Sequence, residues 1–395
     1  MVDDKRWLLP EGIEELLPAQ AWRLERLRRE LLDLYRSWGY ELVIPPFVEY
    51  LESLLTGTGN DLDLQTFKLI DQLSGRLLGL RADMTPQAAR IDAHRLRREA
   101  PSRLCYLGTV LHTRPAGFSG SRSPMQAGAE LYGHVGADSD VEIMALMLET
   151  LALTGVSDVQ LDLGHVGIYR GLAQDAGLDE AQEAVLFDAL QRKALPEIDA
   201  LLGSLDLSTA QRQRLAALAD LNGGEEVLEQ ARQLLRDGGE AARRALDNLQ
   251  DIATLAGRRL PSVSLYFDLA ELRGYQYQTG VVFAAFVAGY GEEIARGGRY
   301  DDIGKVFGRA RPATGFSTDL RLLMQLGERE WPAMPGAILA PAEEDEALRD
   351  KVRALRAAGE SVVWQLAGQA GTPAGMGCDR VLRWNGSEWV VEPLS

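Results

Sequence analysis

Polar and charged side chains interrupt several strand-like segments of the sequence, where burial makes an unpaired polar group costly. The side chains that could bind a small ligand are Asp83, Thr85, Gln126, Glu130, Arg273, Tyr275 and Tyr277. Residues two or four apart in a strand share one face, so we expect the first four to line a small pocket. An arginine can bind a carboxylate, a carboxylate can bind an ammonium group or a ring N–H, and tyrosines can flank a flat side chain. Together these segments predict a site for a zwitterion; the alternative for any one segment alone is a structural ion pair.

The sequence gives little support to other chemistries. The two cysteines, Cys105 and Cys378, and the four histidines have no paired spacing that would build a metal site. No G-x-x-x-x-G-K-[ST] phosphate loop is present. We interpret His112 as a histidine at a strand end and the segment Gly297 to Tyr300 as a turn. We therefore expect no metal, no cofactor and no catalytic residues of these kinds.

Length and composition limit the class of protein. At about 150 residues per domain, the 395 residues predict two or three domains with a substantial core. The longest apolar run is far shorter than a membrane span requires, and the charged start of the chain is unlike a secretory signal, so we expect a cytoplasmic protein without a membrane segment. The formal charge of −16 repels a phosphate backbone and disfavours nucleic acid as the main partner.

Hydrophobic periodicity and turn residues predict the elements that carry these side chains. Pro45 and Pro46 close a strand that we place at a sheet edge or an interface. The predicted helices are Ala19–Ser37, Thr85–Glu99, Asp140–Gly155, Ser317–Leu326 and Glu344–Ala358. The predicted strands are Tyr40–Pro46, Phe67–Asp71, Arg76–Arg81, Leu104–His112, Met125–Tyr132, Val159–Leu163, Leu265–Leu269, Val281–Val287, Ala337–Ala340 and Ser361–Trp364.

The same patterns predict the domain organisation. Residues 1–330 form a core that includes an all-helical insertion at 179–257, where Ala, Leu, Gln, Glu and Arg dominate and β-branched residues are few. A stretch with two prolines, Trp331 to Pro335, predicts a linker. Residues 336–395 then form a short C-terminal α/β domain. The fold class is α+β, and no repeated strand-helix-strand units indicate a doubly wound sheet.

The order and spacing of these segments resemble the catalytic core of histidyl-tRNA synthetase, a class II synthetase with a mixed, mostly antiparallel sheet flanked by helices. Gly39–Glu49 resembles the family's first motif, which lies at its dimer interface. Leu80–Thr85 and Gln126–Glu130 are similar to the L-R-P-E-x-T and Q-x-G-x-E elements that contact histidine in the family. Leu272–Tyr277 resembles the R-G-L-D-Y-Y signature, and Gly297–Asp301 reproduces G-G-R-Y-D. The resemblance implies that the seven side chains named above bind histidine and that the chain forms a homodimer.

Two departures from the family's motifs affect the positions that hold ATP. His112 stands where the family's second motif has the arginine that binds the α-phosphate, and Leu322 stands where the third motif has the arginine that binds the γ-phosphate. Asp319 replaces a glycine beside that position and would repel phosphate. Because phosphoryl chemistry depends on such preorganised cations, we expect adenylation to be lost while the amino-acid pocket is kept.

A kept amino-acid pocket combined with changed ATP-binding positions is similar to the pattern of the regulatory subunits of ATP phosphoribosyltransferase. The resemblance implies a noncatalytic protein that pairs with a short catalytic subunit in a hetero-oligomer and confers histidine feedback on the first step of histidine biosynthesis. The short tail and the acidic charge also argue against tRNA as a ligand. The alternative is an active histidyl-tRNA synthetase with displaced arginines, because Arg321 lies one position from the lost arginine.

Overall fold

Residues 7–56, 60–115, 120–271, 274–275, 277–332 and 335–394 are described in the computed structural model. The chain divides into two compact units, Met1–Arg329 and Glu330–Ser395. The helices of the first unit are α1 (Pro18–Ser37), α2 (Leu51–Leu54), α3 (Asn60–Gln65), α4 (Thr85–Arg90), α5 (Ala137–Leu153), α6 (Val166–Ala176), α7 (Glu180–Gln191), α8 (Leu195–Ser204), α9 (Thr209–Ala217), α10 (Glu226–Leu234), α11 (Glu240–Arg259) and α12 (Leu320–Leu326). Its strands are β1 (Glu41–Leu42), β2 (Val48–Tyr50), β3 (Lys68–Ile70), β4 (Leu77–Leu80), β5 (Ser102–Thr109), β6 (Met125–Tyr132), β7 (Gln160–His165), β8 (Asn222–Gly223), β9 (Ser264–Asp268), β10 (Val281–Phe286), β11 (Ala295–Arg299) and β12 (Ala313–Asp319).

Within the described part of the first unit, nine strands form one sheet in the order β1-β5-β6-β12-β11-β10-β7-β9-β8. The pairs β1/β5 and β7/β9 are parallel, and the six other neighbouring pairs are antiparallel. A smaller sheet has the order β2-β4-β3. The predicted α+β class with a mixed, mostly antiparallel sheet is confirmed, and the strand that ends before Pro45 and Pro46 lies at a sheet edge as expected.

The core packs α5, α6 and α11 against the large sheet. α5 buries an almost continuous apolar face that includes Ile143, Met144, Leu146 and Met147, each 0% exposed. Burying one such side chain contributes about 1.5–3 kcal/mol. Because these three helices cover one face of the large sheet with apolar side chains, polar groups can occupy the opposite face.

The sequence reading was wrong at Gly297 to Tyr300, which is not a turn. Gly297, Gly298 and Arg299 belong to β11, in the centre of the sheet. A Cβ atom on Gly298 would lie 2.6 Å from Oε1 of Gln278, so this glycine allows another side chain to pack directly on the strand. Glycine here serves close approach rather than a positive φ angle.

Several helix predictions had wrong bounds: Asp140–Gly155 is Ala137–Leu153, Glu344–Ala358 is Glu346–Ala357, and two others differ more. The segment Ser317–Asp319 still belongs to β12, and the helix begins only at Leu320, where the Asp319 carboxylate accepts a hydrogen bond from the Arg321 N–H as an N-cap. The helix predicted over Thr85–Glu99 is α4 followed by a π-helix, Ile91–Leu96. β12 itself was missed because its residues Ala313–Asp319 alternate weakly between apolar and polar side chains.

The insertion is mostly helical, with α7 to α11 in the stretch from Glu180 to Arg259. The prediction of an all-helical insertion was wrong at Asn222 and Gly223, which form β8 and pair with β9 at the sheet edge. A strand of two residues leaves too short a pattern for periodicity to reveal. The insertion therefore contributes the last strand of the large sheet.

The second unit has its own sheet, in the order β14-β13-β15-β16, formed by β13 (Ala337–Ala340), β14 (Val362–Trp364), β15 (Cys378–Trp384) and β16 (Trp389–Pro393). One helix, α13 (Glu346–Ala357), packs Leu348 and Val352 against Ile338 and Leu382. The strand-helix-strand beginning of this unit is confirmed. The antiparallel pair β15/β16 was not predicted.

Candidate functional site

Strand β6 presents Gln126 and Glu130 on one face of the large sheet. The residue between them on that face is Gly128, and a Cβ atom there would lie 2.6 Å from the Tyr106 hydroxyl. The missing side chain makes room for the Tyr106 ring, whose hydroxyl donates a 2.8 Å hydrogen bond to Oε1 of Glu130. The shared face predicted for Gln126 and Glu130 is therefore confirmed.

Glu130 lies at the closed end of this site. It is 1% exposed, and the Tyr300 hydroxyl donates a hydrogen bond to its Oε2 atom. Burial raises the pKa of Glu130 to about 8, although the hydrogen bonds from Tyr300 and Tyr106 oppose the rise. The group is therefore mainly a neutral acid at pH 7, and a cationic ligand beside it would favour its ionised form.

Asp83 and Thr85 reach the same site from a connection, not from a strand. β4 ends at Leu80 and Thr85 begins α4, so the predicted sheet face for this pair was wrong. The Asp83 carboxylate accepts hydrogen bonds from the Thr85 N–H at 2.9 Å and from Nε2 of Gln126 at 2.7 Å. The Thr85 hydroxyl is 2.9 Å from the Tyr106 hydroxyl. The turn before α4 thus closes a continuous network from Gln126 to Glu130, which we call the Glu130 network: Asp83, Thr85, Tyr106, Gln126, Glu130 and Tyr300.

The predicted site residues Tyr275 and Tyr277 lie in two different places. Burial raises the pKa of Tyr277; the Arg296 guanidinium opposes the rise and the carboxylates of Asp83 and Glu130 add to it, so the Tyr277 hydroxyl is within electrostatic range of the Glu130 network. Tyr275 instead packs its ring 4.9 Å from that of Phe187 and donates a hydrogen bond to Glu183 on α7. The structure therefore does not bring Tyr275 to the network. Arg273 lies outside the described residues.

Two members of the network and one residue near it were not assigned to the site from the sequence. Tyr106 and Tyr300 donate hydrogen bonds to the two oxygens of Glu130, and Tyr300 stands in the G-G-R-Y-D segment, which was predicted to be a turn. Gln278 is 5% exposed, and its Oε1 atom, beside Gly298, has no hydrogen-bond partner among the described residues. A buried acceptor without a donor is costly. Because Gly298 pairs with Gly315, on which the Glu130 carboxylate packs, this acceptor lies on the same face of the sheet as Glu130.

Arg299 has a structural role as part of a buried ion pair. Its guanidinium is 2.9 Å from the Asp140 carboxylate, and these side chains are 8% and 0% exposed. It also donates to the Ser139 hydroxyl at 2.8 Å. This buried pair ties β11 to the start of α5 and leaves Arg299 unavailable to a ligand.

The positions that differ from the synthetase motifs carry no free cation in the described structure. His112 hydrogen-bonds through Nε2 to the Ala82 carbonyl at 2.9 Å. Arg321 is 9% exposed and is held by Ser123 and by Glu14, the latter at 3.3 Å. Burial raises the pKa of Asp319, which accepts hydrogen bonds from the Arg321 and Met125 N–H groups. Arg321 therefore does not replace the lost arginine in this conformation.

No group of three or more His, Cys, Asp or Glu side chains in the described residues is arranged to hold a metal ion. No helix in the same residues is long and apolar enough to cross a membrane.

The fold defines the class of protein. The family model for histidyl-tRNA synthetase matches residues 12–323, and that for the ATP phosphoribosyltransferase subunit HisZ C-terminal domain matches residues 335–392. The structure is similar to that of a histidyl-tRNA synthetase from Nostoc sp. PCC 7120, with a TM-score of 0.75 over 98% of this chain and 97% of that one, at 19% identity. The molecule is thus a class II protein with the histidyl-tRNA synthetase fold.

Closer relatives place it within that class. The chain is 64% identical to the ATP phosphoribosyltransferase regulatory subunit of Thioalkalivibrio sulfidiphilus over 100% of both chains, and 59% identical to that of Alkalilimnicola ehrlichii over 99% of this chain and 98% of the other. A crystal structure described as an ATP phosphoribosyltransferase regulatory subunit/histidyl-tRNA synthetase from Bacillus halodurans C has a TM-score of 0.81 and 31% identity, covering 93% of this chain and 95% of that one. The chain belongs to the family of ATP phosphoribosyltransferase regulatory subunits. The predicted noncatalytic regulatory role is confirmed over the alternative of an active synthetase.

Proposed function

We propose that the chain binds free L-histidine in the Glu130 network and transmits this binding to a separate catalytic subunit of ATP phosphoribosyltransferase in the cytoplasm. The complex would catalyse the first step of histidine biosynthesis, and histidine would act as its feedback signal. The observation that carries the proposal is a buried carboxyl group, Glu130, held by two tyrosines beside Asp83 and Gln126, in a chain whose phosphate-binding positions are changed.

Each group of the site matches one part of histidine. Asp83 and Glu130 supply acceptors for an ammonium group or for the ring N–H, and Gln126 and Thr85 fix Asp83 in place. Tyr277, which is 41% exposed, would cover the ligand from the open side. Arg273 would bind the carboxylate. Tyr275 would have only an indirect role in binding, because its side chain is directed to α7 and not to the network.

The test of this function is the activity of the catalytic subunit with and without the chain, titrated with histidine. We expect the chain to raise the activity and histidine to lower the activity of the complex. We also expect no histidine-dependent exchange of pyrophosphate into ATP by the chain alone, because His112 and Asp319 stand where cations are needed. Exchange at the rate of a synthetase would contradict the proposal, as would a catalytic subunit that does not respond to the chain. No salt-dependent tRNA binding is expected from a chain of charge −16.

The surface near β1 supports a homodimer within that complex. Leu42, Ile44, Phe47 and Val48 are between 40% and 80% exposed, Ile44 most of all. Exposed apolar side chains grouped in this way are typical of an interface. The neighbouring small sheet adds further exposed apolar residues, Leu69, Ile70 and Leu77.

We expect Ile44→Glu to convert a dimer at micromolar concentration into a monomer, because a charge would then be buried without a partner. Light scattering measures the mass. The matched control is Val185→Glu, which places the same charge on α7 of the insertion at a residue that is 48% exposed. A monomeric unmodified chain, or a dimer that survives Ile44→Glu, would contradict this interface.

A further inference from the structure

A cavity lies outside the Glu130 network, where α6 packs against α11. Its volume is about 310 Å³, the lower end of the range for small-ligand pockets. Gly171 allows the close approach of the two helices, since a Cβ atom there would lie 2.5 Å from the Ala242 nitrogen. The polar groups that line the cavity are His165, Arg170, Gln174, Arg244, Asn248 and Thr279. None of these residues belongs to the Glu130 network.

The charge in this cavity is positive. No aspartate or glutamate is among the described residues that line it. Arg170 forms no ion pair with a described carboxylate: it donates to the carbonyl of Tyr275 at 2.9 Å and lies 4.6 Å from the centre of the Tyr275 ring. Arg244 pairs only with Glu240, across an exposed helical turn where both side chains are about 70% exposed. Such a pair is weak, so both guanidinium groups can bind an anion.

Neutral donors complete the lining. Nδ1 of His165 accepts a hydrogen bond from the Gly167 N–H, and Nε2 is 3.2 Å from Oδ1 of Asn248. Burial, together with the charges of Arg299 and Arg170, lowers the pKa of His165 to about 4, so the ring is neutral at pH 7. The imidazole therefore uses the Asn248 oxygen as its acceptor, which leaves the Asn248 amide N–H groups to donate into the cavity.

We propose that this cavity binds the phosphate or diphosphate group of a small phosphorylated metabolite. Arg170 and Arg244 bind the anion from opposite helices, and Asn248 and Gln174 donate neutral hydrogen bonds. Paired guanidinium groups match phosphate oxygens in charge and geometry. The cavity is large enough for inorganic pyrophosphate or for a phosphate ester with a small organic group.

Arg170 also connects the cavity to the histidine site. The same guanidinium that faces the cavity holds the carbonyl oxygens of Tyr275 and Gln278, and Tyr277 lies between them in the chain. Only Nη2 makes these bonds, so an anion can bind the other N–H groups without breaking them. Anion binding then stabilises the described loop conformation and favours histidine binding. This coupling rests on the proposed histidine site, whereas the anion site does not.

The direct test is calorimetric titration of the full-length chain with inorganic pyrophosphate, inorganic phosphate and AMP. We expect saturable binding of at least one of them, with one site per chain. Arg244→Gln should weaken the binding about tenfold, as the loss of a charge-assisted hydrogen bond does. Gln174→Glu should weaken it by at least as much, because it adds a carboxylate to the lining without removing a hydrogen bond of its side chain in the described structure. Stronger binding of AMP than of the inorganic ions would identify a phosphate ester as the class of ligand, and the reverse would identify a free ion.

Matched variants separate this site from general attraction to the surface. Arg243→Gln removes the same charge from the neighbouring position of α11, outside the cavity lining, and Gln191→Glu adds the same charge at the end of α7. Both should bind pyrophosphate like the unmodified chain. No saturable binding, or equal weakening by Arg243→Gln and Arg244→Gln, would overturn the site.

The coupling has its own test. Saturating pyrophosphate should tighten histidine binding severalfold, and Arg170→Lys, which keeps the charge but loses the planar contact to the loop, should reduce this effect. Unchanged histidine affinity with bound pyrophosphate would overturn the coupling and leave the anion site standing. Pyrophosphate binding without any histidine binding would overturn the proposed histidine site alone.

Discussion

Glu130→Gln is expected to weaken histidine binding at least tenfold while the chain still assembles with its catalytic partner. The substitution keeps the volume of a side chain that is 1% exposed, and an amide can still accept from Tyr106 or Tyr300. It removes the ionised form that a bound ammonium or imidazolium group would favour. A hydrogen bond to a charged group is worth about 1.5–3 kcal/mol, which corresponds to a factor of roughly ten or more.

Calorimetric titration with histidine measures the first effect, and the catalytic activity of the complex measures the second. Because feedback requires that histidine bind one state better than another, Glu130→Gln should also abolish histidine inhibition. Ser204→Ala is the control, since Ser204 ends α8 in the insertion and hydrogen-bonds only within that helix. Normal histidine affinity and normal feedback in Glu130→Gln would place the regulatory ligand elsewhere.

Gly315→Ala is expected to destabilise the chain severely. A Cβ atom at this position of β12 would collide with the Glu130 carboxylate and would also lie 2.8 Å from the Ala129 carbonyl oxygen. The side chain could move only by breaking its hydrogen bonds with Tyr106 and Tyr300, and the carbonyl belongs to the paired strand β6. Overpacking alone costs about 1–3 kcal/mol, occasionally more, so we expect a loss of at least about 3 kcal/mol once the displaced polar groups are included.

Urea unfolding measures this loss. Gly257→Ala is the control: Gly257 lies within α11, and beyond its chain neighbours and the backbone of its own helix no atom lies within 4 Å of its Cβ position, so the change should stabilise the helix by about 0.5–1 kcal/mol. The double variant Gly315→Ala with Glu130→Ala should recover part of the stability, because residues in contact are not additive. A Gly315→Ala chain as stable as the unmodified one would contradict the placement of Glu130.

The Glu130 network was predictable in part because strand geometry is local. Gln126 and Glu130 lie four residues apart in one strand, and a period of two places them on one face whatever the rest of the fold does. The same argument failed for Asp83 and Thr85, since period two applies only to extended backbone, and here the chain turns into α4. They meet Gln126 through a turn whose course is set by contacts far along the chain.

The bounds of helices and strands were likewise predictable only where a regular local pattern sets them. α1 was predicted within one residue because its apolar spacing is regular and Gly39 ends it. β8 and β12 were missed, one because it has only two residues, the other because Gly315 and Ser317 interrupt its apolar pattern, Gly315 at the place where the Glu130 side chain packs on the strand. A strand whose sequence serves a site loses the periodicity by which a strand is recognised.

The sequence by itself determined the fold class, the changed phosphate-binding positions and the family, because these depend on residue types and spacings along one strand or loop. Only the tertiary structure decided that Tyr106 and Tyr300 hydrogen-bond to Glu130 and that Tyr275 is directed to the insertion. It also decided that Arg299 forms an ion pair with Asp140 and that Arg321 is held by Ser123 and Glu14. Each of these contacts joins residues separated by many positions in the chain. Their partners are selected by packing between strands and helices, and no local pattern records that packing.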